Sequence, residues 1–147
     1  MTSPTDLTPA DRVAILDLYA RYAHYFDEGR VEEWPDLYAA DGRYIHAAAP
    51  DRIHQGREAF AAMVRRGLGA GIRHLPMCIS VEATLSGAHG SAYQIVVTAG
   101  DEGLELRTAG TYDDDLVKTT DGWRFEERRF TSWLPPHLDQ AQVAPLL

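Results

Sequence analysis

The chain has 147 residues, 45% of them hydrophobic and 24% charged, a size and mixture that suit one folded domain and argue against a disordered chain. Fourteen Lys and Arg stand against 22 Asp and Glu, a formal net charge of −8; a nucleic-acid partner, which needs basic groups to displace phosphate counterions, is not expected. No run of 18 apolar residues occurs and the first residues lack a basic and then apolar leader, so the expectation is a soluble, cytoplasmic domain with no membrane partner. That single domain is expected to fill residues 1–147, with 134–147, rich in Pro135, Pro136 and Pro145, as a C-terminal arm. The lone cysteine, Cys78, excludes an intrachain disulfide framework. Its apolar neighbours Leu75, Met77 and Ile79 suggest a small buried hydrophobe.

The first half reads as helices. Thr8, Pro9 and Asp11 supply a capping hydroxyl, a proline at the first helical position and an acid in the first turn. Ile15, Leu18, Tyr19, Tyr22 and Phe26 then recur at helical spacing, and Gly29 marks a stop. A second, short helix is expected from about Val31 to Ala40, with Trp34, Leu37 and Tyr38 on one face, followed by a short strand from Tyr44 to Ala48. A third helix, from about Arg57 to Gly67, turns Phe60, Met63, Val64 and Leu68 inward.

The second half reads as strands. Leu75, Met77, Ile79, Val81, Ala83 and Leu85 alternate without a break, the pattern of a half-buried strand. Turn signals at Ser86–Gly90, Gly100–Gly103 and Thr119–Gly122 separate this run from Tyr93–Ala99, Leu104–Lys118 and Trp123–Trp133. Neighbours joined by turns imply an antiparallel meander, and helices followed by strands imply an α+β fold. On the strand at Tyr93, Tyr93, Ile95 and Val97 are apolar on one face while Gln94, Val96 and Thr98 lie on the other, a two-sided strand that suggests a sheet-to-sheet homodimer or homotrimer.

Two residues attract chemical interest by position. Asp27 borders the apolar stripe at the end of the first helix, where the negative end of the dipole disfavours an acid unless a cation or a function offsets it. His74 opens the long strand just after a glycine-rich loop. A carboxylate bonded to one ring nitrogen fixes a histidine's tautomer and raises the basicity of the other nitrogen, so the two together would make a general base. His46, on the same strand face as Tyr44, is a further candidate for the cavity wall. Spacings that hold zinc are absent, as are a P-loop, a GxSxG elbow and a dinucleotide fingerprint, so neither metal nor cofactor is expected. Asp113-Asp114-Asp115 reads as a solvated strand end.

The stretch Ala14-Ile15-Leu16-Asp17-Leu18-Tyr19 with Tyr22, Phe26-Asp27 and Gly29-Arg30 resembles the opening helix of SnoaL-like proteins, in the nuclear-transport-factor-like superfamily. Arg73-His74, Gly110-Thr111-Tyr112-Asp113-Asp114 and Asp121-Gly122-Trp123-Arg124-Phe125 match later landmarks in order, so that the resemblance covers about Leu7 to Trp133. It implies a cone-shaped barrel of three N-terminal helices packed on a curved, mostly antiparallel sheet around a deep apolar pocket. Relatives include scytalone dehydratase, a dehydrochlorinase, polyketide cyclases and ketosteroid isomerase. In the first two, an aspartate ending the first helix pairs with a histidine opening the long strand, and Asp27 and His74 fall on those positions. By the same resemblance Tyr22, Tyr44 and Tyr112 match pocket walls, and Arg128 a pocket rim. Phe26 stands where scytalone dehydratase has a tyrosine, and no histidine occurs near Ala99-Gly100, so scytalone itself is not the expected substrate.

The expected function is a cofactor-independent lyase or isomerase. A dehydratase or cyclase of this kind would take a carbon-bound proton from a small hydrophobic, aromatic or polycyclic metabolite. The alternative is a module without chemistry of its own that binds a ligand or serves as the small subunit of a ring dioxygenase, which shares the fold.

Overall fold

The computed structural model describes residues 6–139. Its first element, α1 (Pro9–Asp27), begins at a capping box: the Thr8 hydroxyl accepts from the Asp11 N–H at 3.1 Å, and the Asp11 carboxylate accepts from the Thr8 N–H at 3.1 Å. The helix buries Ile15, Leu18, Tyr19, Tyr22 and Phe26, the apolar stripe of the sequence.

The expected second helix is instead a single 3-10 turn, Trp34–Leu37, and strand β1 (Tyr38–His46) begins six residues before the expected Tyr44. Pro35 has no N–H to extend a helix, and Tyr38 is already extended at φ −98° and ψ 148°. Trp34 holds the turn against α1 by burying its indole and donating from Nε1 to the Tyr22 carbonyl at 3.0 Å. Strand β2 (Ile53–Gln55) pairs with β1 and leads into α2 (Arg57–Gly67); Leu68, expected inward, lies just past the helix end and is exposed.

Four long strands follow: β3 (Ile72–Ala83), β4 (Ala88–Gly100), β5 (Gly103–Thr119) and β6 (Gly122–Ser132). They pair antiparallel in sequence, and β6 then pairs with β1 in parallel, for the order β2-β1-β6-β5-β4-β3. The fold is α+β: among the described residues two helices, not three, pack on a curved, mostly antiparallel sheet whose edges β2 and β3 do not meet. The cone is therefore open. Its core lies between the helices and the inner face, where the Tyr38 and Phe60 rings stack with centroids 4.0 Å apart.

Two further expectations are corrected. The alternation from Leu75 to Leu85 hides a register shift between Met77 and Ser80. On its N-terminal side Leu75 and Met77 face outward, 44% and 37% exposed, while beyond it Ile79 and Val81 pack against the core. Cys78 sits at the shift with φ 52° and is exposed, not buried. The aspartate run is also not a solvated strand end. Asp114 is fully buried, because alternation along β5 turns it to the inner face while Asp113 and Asp115 point outward.

Of the expected C-terminal arm, 140–147 lies outside the described residues. Residues 136–138 form a turn that leads to a buried Asp139.

Candidate active site

The inner sheet face carries the site because strand pairing sets side chains from β3, β4 and β5 in a row. His74 lies opposite Val96, and Val96 opposite Thr108. Two residues along β4, Gln94 lies opposite Gly110, and Ala92 opposite Tyr112. Gly110 matters here: a Cβ on it would come within 2.6 Å of the Phe130 ring, so only glycine lets that ring lie over the strand. Tyr22 and Phe26 from α1, Met63 from α2 and Tyr44 from β1 close the other walls.

Asp27 ends α1, and its carboxylate meets His74 at two points. Oδ2 accepts from the His74 backbone N–H at 2.9 Å, and Oδ1 lies 2.7 Å from Nδ1. An ionised carboxylate can only accept, so this contact favours the tautomer with the hydrogen on Nδ1 and the lone pair on Nε2. Both side chains are largely buried, 5% exposed for His74 and 12% for Asp27. The imidazole is wedged edge-on against Phe26, 4.7 Å between centroids, and Tyr22, 6.1 Å. The loop before β3 aims it: Gly69 and Gly71 both have positive φ, and Gly71 passes so close to Ala99 that a Cβ would sit 2.6 Å from its carbonyl oxygen.

The three tyrosines singled out in the sequence all line this cavity. The Tyr22 and Tyr112 hydroxyls are 3.5 Å apart. Burial, reinforced by Tyr22 nearby, pushes the Tyr44 and Tyr112 phenols well above their ordinary pKa, so they stay protonated and able to donate. The walls are mostly apolar, and the open space admits the centre of a water-sized sphere over about 20 Å³, room for about one ordered water.

Arg128 is not at the rim. It is fully buried beneath the tyrosines, donating from Nε and Nη2 to the two Asp114 oxygens at 2.8 and 2.7 Å. Tyr19 donates to the same carboxylate. The guanidinium carbon lies 3.7 Å from the Tyr112 ring centroid and 4.2 Å from that of Tyr22, a cation–π floor under both rings. Burial works against the Arg128 charge and Asp114 more than offsets it, raising the pKa above its ordinary value. His46 also stands apart from the cavity wall: its Nε2 lies 3.2 Å from Asp139 Oδ2 and its ring packs edge-on against Phe130.

Gln94 and Thr108 are the polar wall residues that the sequence reading passed over. The available signal was a polar residue between inward-facing Ala92 and Val96. Among the described residues no three His, Cys, Asp or Glu side chains converge as a metal site would require.

A mostly apolar hollow holds a carboxylate-bonded imidazole and neutral phenols, and it is set on an open α+β cone of the nuclear-transport-factor-like kind. The chain matches the SnoaL-like domain over residues 8–129 and belongs to that family, whose members include dehydratases and cyclases. Among similar solved structures is the Mycobacterium tuberculosis protein Rv3472, of unknown function. It is 22% identical, with TM-score 0.79 over 95% of this chain and 90% of that one. A Novosphingobium aromaticivorans NTF2-like protein with a cystatin-like fold is 22% identical, with TM-score 0.78 over 91% and 89%. A protein of the same bacterium, named as a candidate scytalone dehydratase, is 21% identical, with TM-score 0.71 over 85% of each chain. No curated protein is significantly similar in sequence.

Proposed function

We propose that this protein is a cofactor-independent lyase or isomerase that removes a proton from carbon in a small, largely apolar metabolite. His74 is the general base, acting through Nε2. Asp27 is its positioning residue, holding the tautomer and stabilising the imidazolium that forms. Tyr44 and the Tyr22–Tyr112 pair bind the oxygen that gains charge or leaves. Elimination, isomerisation and cyclisation all begin with this step.

The observation that carries the reading is the two-point contact between Asp27 and His74 on the wall of a mostly apolar cavity. General-base action contributes about 10²–10⁴-fold, and a buried oxyanion donor adds roughly 3 kcal/mol. Because the cavity is narrow as folded, a ring-sized substrate enters by moving its walls, and the flexible thioether of Met63 is the most adjustable of them.

The experiment follows α-proton exchange of simple aryl ketones in D₂O by NMR. The wild-type protein is expected to exceed His74→Ala and Asp27→Asn by about a hundredfold or more. Equal rates for all three folded proteins would remove the pair from the chemistry.

A further inference from the structure

Gln94 is fully buried, and both its Nε2 and its Oε1 lack a hydrogen-bond partner among the described residues. Thr108, 2% exposed, has a hydroxyl in the same condition. Both side chains line the cavity beside His74. Burying an amide and a hydroxyl without partners is strongly unfavourable, and native interiors rarely leave one so. Here the unmet groups both belong to residues that line one cavity. Val96 pairs with Thr108 and lies two residues from Gln94, so the two polar groups are diagonal neighbours on one sheet face, the spacing at which side chains share a ligand.

We infer that Gln94 and Thr108 form a recognition subsite for a neutral oxygen group that both donates and accepts hydrogen bonds, such as a hydroxyl beside a carbonyl on an aromatic ring. Which end of the amide is oxygen does not affect the argument, since both ends are unmet. The ligand must offer an acceptor to the N–H and a donor to the carbonyl. Thr108, whose hydroxyl rotates, serves either role.

Neutrality follows from the charges nearby. Arg128, the buried cation beneath this cavity, does not line it: Nε and Nη2 are bonded to the Asp114 carboxylate, tyrosine rings cover the guanidinium, and Nη1 has no partner among the described residues. A ligand carboxylate would have to shed its water with no lysine or arginine on the cavity wall to meet it. An entirely apolar ligand would leave the amide unmet, and sites of this kind discriminate strongly against analogues lacking the bonding group.

The subsite deepens the proton-abstraction reading by naming what the substrate carries near the reacting carbon, but it makes a separate demand, on binding alone. The test titrates the wild-type protein, Gln94→Leu and Thr108→Val with 2-hydroxyacetophenone, acetophenone, ethylbenzene and benzoate, following the Gln94 side-chain amide by NMR. In the wild type, 2-hydroxyacetophenone is expected to bind about tenfold or more tighter than ethylbenzene and to shift both amide signals, with benzoate weakest. Gln94→Leu should erase that preference, and Thr108→Val should reduce it. Equal affinities in wild type and Gln94→Leu, no binding by any probe, or an amide that answers only to a resident water would each overturn the subsite.

The two proposals fail separately. Binding through Gln94 without proton exchange would sink the base and spare the subsite, whereas exchange without the binding preference would do the reverse.

Discussion

Asp27 grips His74 by its backbone N–H and its ring nitrogen at once, across 47 positions of sequence. The first bond fixes the start of β3 against the end of α1, and the second fixes the ring. Replacing Asp27 with Asn should keep the backbone anchor while loosening the tautomer, because an amide can present either an N–H or a carbonyl to Nδ1. Histidine ¹⁵N shifts of the wild type should show a single Nδ1–H form for His74, and Asp27→Asn a mixture. A mixed tautomer in the wild type would remove the basis for assigning Nε2 as the base.

The buried Asp114–Arg128 pair should dominate stability. Removing one partner strands a charge in the core, at about 3–5 kcal/mol, while replacing both with apolar residues of similar volume is often neutral. Arg128→Met and Asp114→Leu should each lower the urea midpoint sharply, with the double variant more stable than either single one. Additive losses would show that the pair does not act as a unit.

Alkaline pH should unfold the protein through its tyrosines. Tyr19, Tyr38, Tyr44 and Tyr112 all have raised pKa values, with burial as the largest cause. A raised phenol pKa means that the folded state prefers the neutral form. That stability is fully present below the unfolded value of about 10 and is lost as pH climbs through the folded value. In an ultraviolet titration, these four of the seven tyrosines should ionise only together with unfolding. Reversible ionisation of all seven near pH 10 with the fold intact would contradict the burial described.

We propose that the outer sheet face pairs with another copy of this chain. Leu75, Met77 and Tyr93 are each more than a third exposed, Met77 and Leu75 face Tyr93 and Ile95 across the β3–β4 pairing, and Trp133 packs edge-on against Tyr93 at 5.2 Å. Size-exclusion chromatography with light scattering should return two or three times 16.3 kDa. Tyr93→Asp combined with Leu75→Asp should reduce this to one chain. A monomeric wild type would exclude the assembly, and co-purification with a larger catalytic chain would favour a subunit role over an independent enzyme.

Much of this arrangement was legible in the residues. Thr8, Pro9, Asp11 and the stripe from Ile15 to Phe26 define α1 because capping and periodicity are local properties. The meander follows from turn residues between alternating runs. Asp27 drew notice because an acid sits poorly at a helix C-terminus, and in the fold the His74 N–H and imidazole answer it. The region from Val31 to Ala40 misled because Trp34, Leu37 and Tyr38 fit a helical face as well as they fit a 3-10 turn entering a strand; pairing with β6 decided between them. Cys78 shows the same limit, since no residue pattern there announces the register shift that turns Leu75 and Met77 outward while Val81 faces the core.

Local spacing and composition alone set the class of fold and the extent of α1, because those properties depend on neighbours a few positions away, whereas the resemblance to SnoaL-like proteins is what joined Asp27 to His74 across 47 positions. Tertiary structure alone decided which aspartate of the 113–115 run is buried, that Arg128 supports the tyrosines from below, and that Gln94 and Thr108 adjoin His74. Each of these depends on strand register, and register is settled by the whole sheet closing over its core, where a one-residue slip would exchange every inward side chain for an outward one.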